Sequence, residues 1–277
     1  MTSQLLLNPY KQKVADLYTS RADSYDASDW HLRIAHHLVE EAKLKSGQRV
    51  LDVATGTGMA ALKAAQIVGP SGSVVAVDIS LGMLEQAKKN AQSMNLNSIQ
   101  FKHVDAEALE LTEESFDHIF CSCALIWMSD VQQALSHWFK FIKPGGQVCF
   151  HAFSDSSFVG GVVLQNIVEK YGVTYLMSKP TGTIEKCQAL LRQAGFQVRS
   201  IEVEHGGEFI TLNSAQSMWW GSSHPAPGQH PNPLLKLSVE QLREIRFEFD
   251  DRLRVMETER GVWNEITTFY VYGQKPL

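Results

Sequence analysis

Three aspartates stand at the ends of apolar runs: Asp52 in Val50-Leu51-Asp52-Val53, Asp78 after Val74-Val75-Ala76-Val77, and Asp105 after the run from Ile99 to Val104. Parallel sheets wound with helices present their ligands at the carboxyl ends of the strands, so acids at three such ends point to one shared ligand. The other common use of Asp, capping a helix N-terminus, accounts for each acid singly but not for all three in register. Asp52 suits a ligand that carries a positive charge or several donors, and it would repel a pyrophosphate. Asp78 lies twenty-two residues beyond Gly56, near the spacing at which an acid takes both hydroxyls of a ribose. Asp105, followed by Ala106, can accept from an exocyclic amine such as that of adenine.

The stretch from Val50 to Gly58 reads as a strand and a tight turn, leading into a helix from Met59 to Ile67. Gly56, Gly58 and Ala61 satisfy the spacing G-x-G-x-x-G/A, in which glycine lets the backbone turn sharply and approach a ligand. That spacing alone also fits an NAD(P)-dependent oxidoreductase. Asp52 and the Asp105-Ala106 pair speak against a dinucleotide. A third reading, a non-catalytic member that binds the same ligand, stays open, because binding residues say nothing about turnover.

These residues need a scaffold. Strands are expected at 49–54, 73–78, 99–103, 116–123 and 147–153, with helices at 59–68, 81–94, around 106–110 and at 130–142. The alternation predicts an α/β fold, a doubly wound, Rossmann-like, mostly parallel seven-stranded sheet. Pro70-Ser71-Gly72 and Lys143-Pro144-Gly145-Gly146 read as turns. A helix from Ile184 to Ala194 stops at Gly195, and a strand from Phe196 to Val203 follows. The chain then makes an excursion over 204–262, with Trp219-Trp220, a loop rich in Pro, Gly and His from His224 to Pro233, and a charged helix from Val239 to Arg260. The last strand is expected over Ile266 to Tyr272. The expected organisation is an N-terminal helical lid over 1–45, a ligand-binding core over 46–203, a helical substrate-cap insertion over 204–262, and the final strand of the core sheet within 263–277. An excursion of that size serves as a binding lid or as the contact of a homodimer.

The chain has 277 residues, 44% of them hydrophobic, which is enough for one large core with a cap. A net charge of −5 without a basic block argues against a nucleic-acid partner. No apolar run approaches the ~18 residues of a membrane span, and Met1 to Tyr10 lacks the regions of a signal peptide, so a cytoplasmic location is expected. Cys121 and Cys123 are expected on one face of a strand, and all four cysteines read as buried thiols; no spacing suggests a metal. His31, His36 and His37 are expected on a helix surface.

The segments Val50–Gly58, Val74–Ser80, Asp105-Ala106-Glu107-Ala108-Leu109, Phe116-Asp117 and Leu135 through Gly146 resemble the class I S-adenosylmethionine-dependent methyltransferases, especially the ubiquinone/menaquinone biosynthesis C-methyltransferase type. The resemblance runs over residues 46–154. It implies S-adenosyl-L-methionine as cofactor and S-adenosyl-L-homocysteine as product. By that resemblance Asp52 and the Gly56-Thr57-Gly58 loop hold the methionine end, Asp78 the ribose, Ile79 and Met83 the faces of adenine, and Asp105-Ala106 its edge, with Ala54 also assigned to the cofactor. Ser122 falls at a cofactor-contacting position, and Tyr18 and Tyr25 match a lid of N-terminal helices, Tyr25 being assigned to the cofactor. The chain departs from the quinone type after the fifth strand, where His151-Ala152-Phe153-Ser154 stands in place of an acid.

Methyl transfer from a sulfonium is an in-line displacement in which the donor's positive charge disappears, so alignment and exclusion of water are the main demands. A base is needed only where the acceptor must lose a proton, and His151 is the candidate by position. The acceptor, a small apolar or aromatic molecule, is expected against Tyr18, Tyr25, Trp127, Met128, Phe153, Phe158, Met218 and Trp219, which come from segments that overhang the catalytic edge.

Overall fold

β-Branched and apolar runs become strands, and the alanine-rich and amphipathic runs between them become helices. The computed structural model describes residues 5–175 and 179–277. Strands β1 (Arg49–Val53), β2 (Ser73–Asp78), β3 (Ile99–His103), β4 (Phe116–Cys121), β5 (Ile142–Phe153), β6 (Gln197–Glu204) and β9 (Thr268–Gln274) form one seven-stranded sheet in the order β3-β2-β1-β4-β5-β9-β6. Strands β7 (Gly207–Ile210) and β8 (Val262–Glu265) form a separate antiparallel pair. The pairs β1–β2, β2–β3, β1–β4 and β4–β5 are parallel. The winding direction reverses beside β1, and a sheet of this kind opens a crevice at that point, outside the carboxyl ends of its strands. Register sets Asp52 opposite Ala76 on one side and Phe120 on the other, and Asp78 opposite His103.

The chain divides into two compact units. The first runs to His151 and is completed by Gln188–Ile201 and Tyr270–Leu277. Before the sheet it carries α1 (Pro9–Arg21), a 3₁₀ turn over Ala22–Ala27, and α2 (Trp30–Glu41). Between strands lie α3 (Met59–Val68), α4 (Leu81–Ser93) and α5 (Val131–Phe139). Asn8 caps α1 by accepting from the Lys11 N–H, and Pro9 sits in the first turn, where a missing N–H costs nothing. In α3, Ala60, Ala61, Ala64 and Ala65 are buried in one cluster with Val50, Val74 and Ala76 of the sheet and Leu38 and Val39 of α2. Methyl-sized side chains let the helix lie close over the strands.

The structure differs from the pattern reading at several places. Residues 106–108 form a turn rather than a helix, because the Asp105 carboxylate accepts from the Glu107 N–H and the Asp105 carbonyl from Ala108. An Asp that bonds its own neighbouring backbone competes with the helix. Lys143-Pro144-Gly145-Gly146 lies inside β5, whose pairing with β4 shifts register between Phe116 and His118. Gly145 has φ 77°, so the glycine serves a bulge inside the strand rather than a turn before it. Strand β4 ends at Cys121, and Cys123 has φ 55°, which breaks the alternation expected to put both thiols on one face.

The second unit comprises Ala152–Cys187 and Glu202–Phe269, which is wider than the 204–262 excursion. It contains α6 (Val159–Val168), the start of α7 (Ile184–Gln193), α8 (Leu212–Ser217), α9 (Val239–Val255) and the β7–β8 pair. Val159, Val163, Leu164 and Ile167 of α6 pack with Ile245, Phe249 and Leu253 of α9 in one apolar cluster. The run Val159–Val168 is apolar almost throughout, so it shows no amphipathic period to read. Ser238 and Gln241 form a capping box at the start of α9. That helix stops at Val255, before a Thr258–Gly261 turn, rather than reaching Arg260.

Candidate functional site

At the end of β1 the chain must leave the sheet, and it does so with three consecutive tasks. Asp52 is buried at 1% exposure, and its Oδ2 accepts from the Thr55 hydroxyl and from the Ala61 N–H. Burial pushes the Asp52 carboxyl up to about 7, although those two hydrogen bonds pull it down. Among the described residues no cation pairs with it. Gly56 has φ 57° and a Cβ built on it would meet nothing within 4 Å, so glycine here serves the left-handed backbone and the open space before it. Gly58, at φ 92°, is the N-terminal cap of α3, where an added Cβ would crowd Ala87. Thr57 donates its hydroxyl to Asp26.

The next strand delivers Asp78 to the same corner. One of its oxygens accepts from the Gly56 N–H at 2.8 Å and the other from the Ser80 N–H at 2.8 Å. Burial raises its pKa, with those hydrogen bonds opposing. Ser80 caps α4 through the Met83 N–H and shares a hydrogen bond with Thr19 of α1. His103 holds the Ile79 carbonyl at 2.9 Å. At the third strand, Lys11 reaches from α1 and ion-pairs with Asp105 at 2.5 Å and with Glu107 at 2.9 Å. Burial opposes the charge on Lys11, but the two carboxylates outweigh it and its pKa is raised.

Two adjoining cavities occupy this corner of the first unit. The larger takes in about 720 Å³ and the smaller about 350 Å³, part of each open to solvent. The walls of the larger include Ala54, Gly56, Asp78, Ile79, Met83, Asp105, Ala106 and Ser122, with Tyr18 and Tyr25 from the N-terminal segment and Trp127 and Met128 after β4. Tyr18 meets Tyr25 and Trp127 edge-on, centroids 6.1 and 5.7 Å apart, and the Arg21 guanidinium lies 5.4 Å from the Tyr18 ring. Burial raises the phenol pKa of both tyrosines, so they stay neutral donors. The smaller cavity is lined by Tyr25, His31, Asp52, Ala54, Gly56, Thr57 and Cys123 among others.

The residues expected to hold one ligand thus divide between two connected walls: Asp78, Ile79, Met83, Asp105 and Ala106 line the larger cavity, Asp52 and Thr57 the smaller, and Tyr25, Ala54, Gly56 and Ser122 both. Gly58 lies on neither and acts through the turn. His151 is placed behind the wall: Cys123 lines both cavities, and the His151 Nδ1 lies 3.5 Å from its sulfur, with the imidazole against Tyr270 at 5.4 Å. Burial holds the His151 pKa down to about 3 and pushes the Cys123 thiol up to about 12, so both stay neutral at physiological pH.

Phe153, Phe158, Met218 and Trp219 belong to the second unit and pack within it. Phe153 meets Phe158 at 4.7 Å, Trp219 meets Phe249 at 5.5 Å, and a Cβ on Gly160 would collide with Met218. His31, His36 and His37 are half-buried rather than on the surface; His37 lies 4.3 Å from Tyr270, and His31 faces the smaller cavity. Lys11, His31, Glu107 and Cys123 also line these cavities, and the sequence reading does not single them out as site residues. Lys11 shares a helix face with Val14 and Tyr18, and His31 one with Ala35 and Leu38, so a polar residue on an apolar stripe was the available signal. The left-handed backbone of Cys123 leaves no mark in the sequence. Among the described residues no cluster of three His, Cys, Asp or Glu could hold a metal ion, and no helix is long and apolar enough to cross a membrane.

Residues 44–203 match the family model described as methyltransferase domain. The chain is similar to the aklanonic acid methyltransferase DauC of Streptomyces sp. (strain C5), 26% identical over 66% of this chain and 90% of the relative. It is also similar to the ubiquinone/menaquinone biosynthesis C-methyltransferase UbiE of Edwardsiella ictaluri, 32% identical over 53% of this chain and 61% of that protein. Among solved structures, a Haemonchus contortus phosphoethanolamine N-methyltransferase 2 complexed with phosphomonomethylethanolamine and S-adenosylhomocysteine shares the fold, with TM-score 0.60 and 19% identity over 98% of this chain and 61% of that one.

Proposed function

The chain belongs to the methyltransferase-domain family and is an S-adenosylmethionine-dependent methyltransferase; from that premise we propose that its acceptor is a small apolar or aromatic molecule and that the two cavities hold the cofactor between them. The observation that carries the acceptor class is the wall of Tyr18, Tyr25, Trp127 and Met128, which faces the same space as Asp78 and Asp105. Rings and a thioether offer area and few fixed hydrogen bonds, the lining expected for an apolar partner.

The donor set fits the cofactor. A carboxylate offers about four lone-pair directions, so Asp78, which accepts from two backbone N–H groups, keeps capacity for a ribose diol. Ile79 and Met83 supply apolar faces for adenine, and Asp105 retains capacity for its amine beside Lys11. Asp52, raised to about 7 without a cation partner, gains most from an incoming ammonium. Bound there, S-adenosylmethionine supplies a methyl group activated by its sulfonium.

The chain's own contribution is alignment. Asp78 and the Gly56 turn fix one end, and the aromatic wall orients the acceptor and displaces water. The test is to incubate the protein with S-adenosylmethionine carrying a labelled methyl and a cell extract, then to follow label into metabolites by mass spectrometry. Label in an apolar or aromatic small molecule supports the reading; label only in highly polar acceptors would overturn the acceptor class.

A further inference from the structure

The smaller cavity contains a group that packing does not explain. His31 stacks on Tyr25 with centroids 4.5 Å apart at 26°, and Trp30 meets it edge-on at 4.7 Å, so the faces of its imidazole are covered. Its Nδ1 is nevertheless buried and has no hydrogen-bond partner among the described residues. Buried polar atoms are nearly always paired, and since His31 lines this cavity, a ligand that enters it can supply the missing partner.

The neighbouring groups narrow what that atom is. The Thr55 hydroxyl and the Ala61 N–H donate to Asp52, the Thr57 hydroxyl to Asp26, and the Gly56 N–H to Asp78. These donors are thus committed to the protein's own carboxylates. Asp52 itself remains an acceptor for a positively charged group. A zwitterion entering this space finds a partner for its ammonium in Asp52, while its carboxylate needs a donor. Burial, with the nearby Arg21, holds the His31 pKa down to about 4, so its imidazole is neutral and offers one ring N–H.

We infer that His31 donates a hydrogen bond from Nδ1 to the α-carboxylate at the amino-acid end of the cofactor, opposite Asp52, and so selects ligands that carry that carboxylate. The inference rests on the reading that the methionine end occupies this cavity. It assigns to α2 a binding residue, where the sequence shows only a histidine on a surface helix.

The experiment is calorimetric titration of the protein and of His31→Phe and His31→Asn with three ligands: S-adenosylhomocysteine, its decarboxylated analogue, and 5′-methylthioadenosine, which lacks the whole amino-acid end. Phe keeps the stacking on Tyr25 without a polar atom, and Asn places an amide near the lost Nδ1. His31→Phe is expected to weaken S-adenosylhomocysteine at least about tenfold and to leave the other two ligands within about twofold, the loss being one hydrogen bond to a charged group. His31→Asn should recover most of that loss. Equal weakening of all three ligands, or unchanged S-adenosylhomocysteine, would overturn the role of His31. Unmodified protein that binds none of the three would overturn the cofactor placement and the inference together. As a readout without substitution, the Nδ1 resonance of ¹⁵N-labelled His31 should shift on adding S-adenosylhomocysteine and stay put with the decarboxylated analogue; an unmoved resonance in both cases refutes the contact.

Discussion

Asp52 and Asp105 leave neighbouring parts of the same sheet edge, yet they are held in opposite electrostatic states. Asp105 shares Lys11 with Glu107, and the three side chains are only 10–15% exposed, so a cation supplied by α1 travels with the acid. Asp52 is more deeply buried and has only a hydroxyl and an amide for company, which lifts its pKa to about 7. One carboxylate is thus neutralised by the protein before any ligand arrives, and the other is left for the ligand to neutralise. Residue type alone does not set the role of a buried acid; its distance from a counter-charge does.

The sharpest way to break this corner is Gly56→Val, because Gly56 borders both cavities. A β-branched side chain at φ 57° is strained and its atoms would enter open space that the protein leaves unfilled. Binding of S-adenosylhomocysteine should fall by about hundredfold or more, and the protein should still melt cooperatively, with a loss of about 1–2 kcal/mol. Titration calorimetry and a thermal scan check both parts; normal binding would mean that the turn is structural only.

Asp52 can be tested by pH. The folded pKa of Asp52 lies above its unfolded value of 3.8, so ionising it opposes folding, and the empty protein loses stability as pH rises from about 4 to about 7. A ligand that brings an ammonium binds the ionised form, so affinity should rise with pH and level off above about 7. At pH 5 affinity should be lower by on the order of a hundredfold. Asp52→Asn should flatten the curve and bind weakly throughout. A wild-type curve without slope between pH 5 and 7 would place the cation elsewhere.

Lys11→Met tests the other acid. Asp105 and Glu107 would face each other without their shared cation, and α1 would lose an anchor worth about 1–3 kcal/mol. Hydrogen exchange over residues 9–21 should speed up several-fold, and S-adenosylhomocysteine affinity should drop less than with Gly56→Val. Unchanged protection would show that the Tyr10–Trp127 and Thr19–Ser80 hydrogen bonds hold the helix by themselves.

The smallest effect on the cofactor is expected from Trp219→Ala. Trp219 packs on Phe249 and under Arg246 inside the second unit, so its loss should lower stability by about 2 kcal/mol and leave S-adenosylhomocysteine affinity within about twofold. Once an acceptor is known, its KM and kcat on this variant decide whether Trp219 also serves the acceptor. An S-adenosylhomocysteine affinity that falls along with stability would overturn this expectation.

The first half of the chain was legible because each strand is short, β-branched and closed by its own acid or glycine, so fold and chemistry share one signal in Val50–Gly58 and Val74–Asp78. The pairing of Lys11 with Asp105 joins residues far apart in sequence, and no local pattern encodes it. His151 lies near the end of β5, at the edge the sequence implies, and its burial behind Cys123 depends on the fold around that edge, which no local pattern carries. In the second unit the pattern is weaker because α6 is apolar except for Gln165 and Asn166 and strands β7 and β8 have four residues each, too few to show a period.

Ala54 and Cys123 both have left-handed backbones, φ 52° and 55°, and both border the two cavities. For a residue with a Cβ, that conformation costs on the order of 1–2 kcal/mol. The usual direction of thermal stabilisation, replacing glycine by something larger, is therefore reversed on this wall. Ala54→Gly relieves the folded chain of that strain and gives back about 0.5–1 kcal/mol through the looser unfolded chain, so it should come out neutral or stabilising. A library that screens for thermostability by removing glycines would pass over Ala54, where adding one costs nothing or helps.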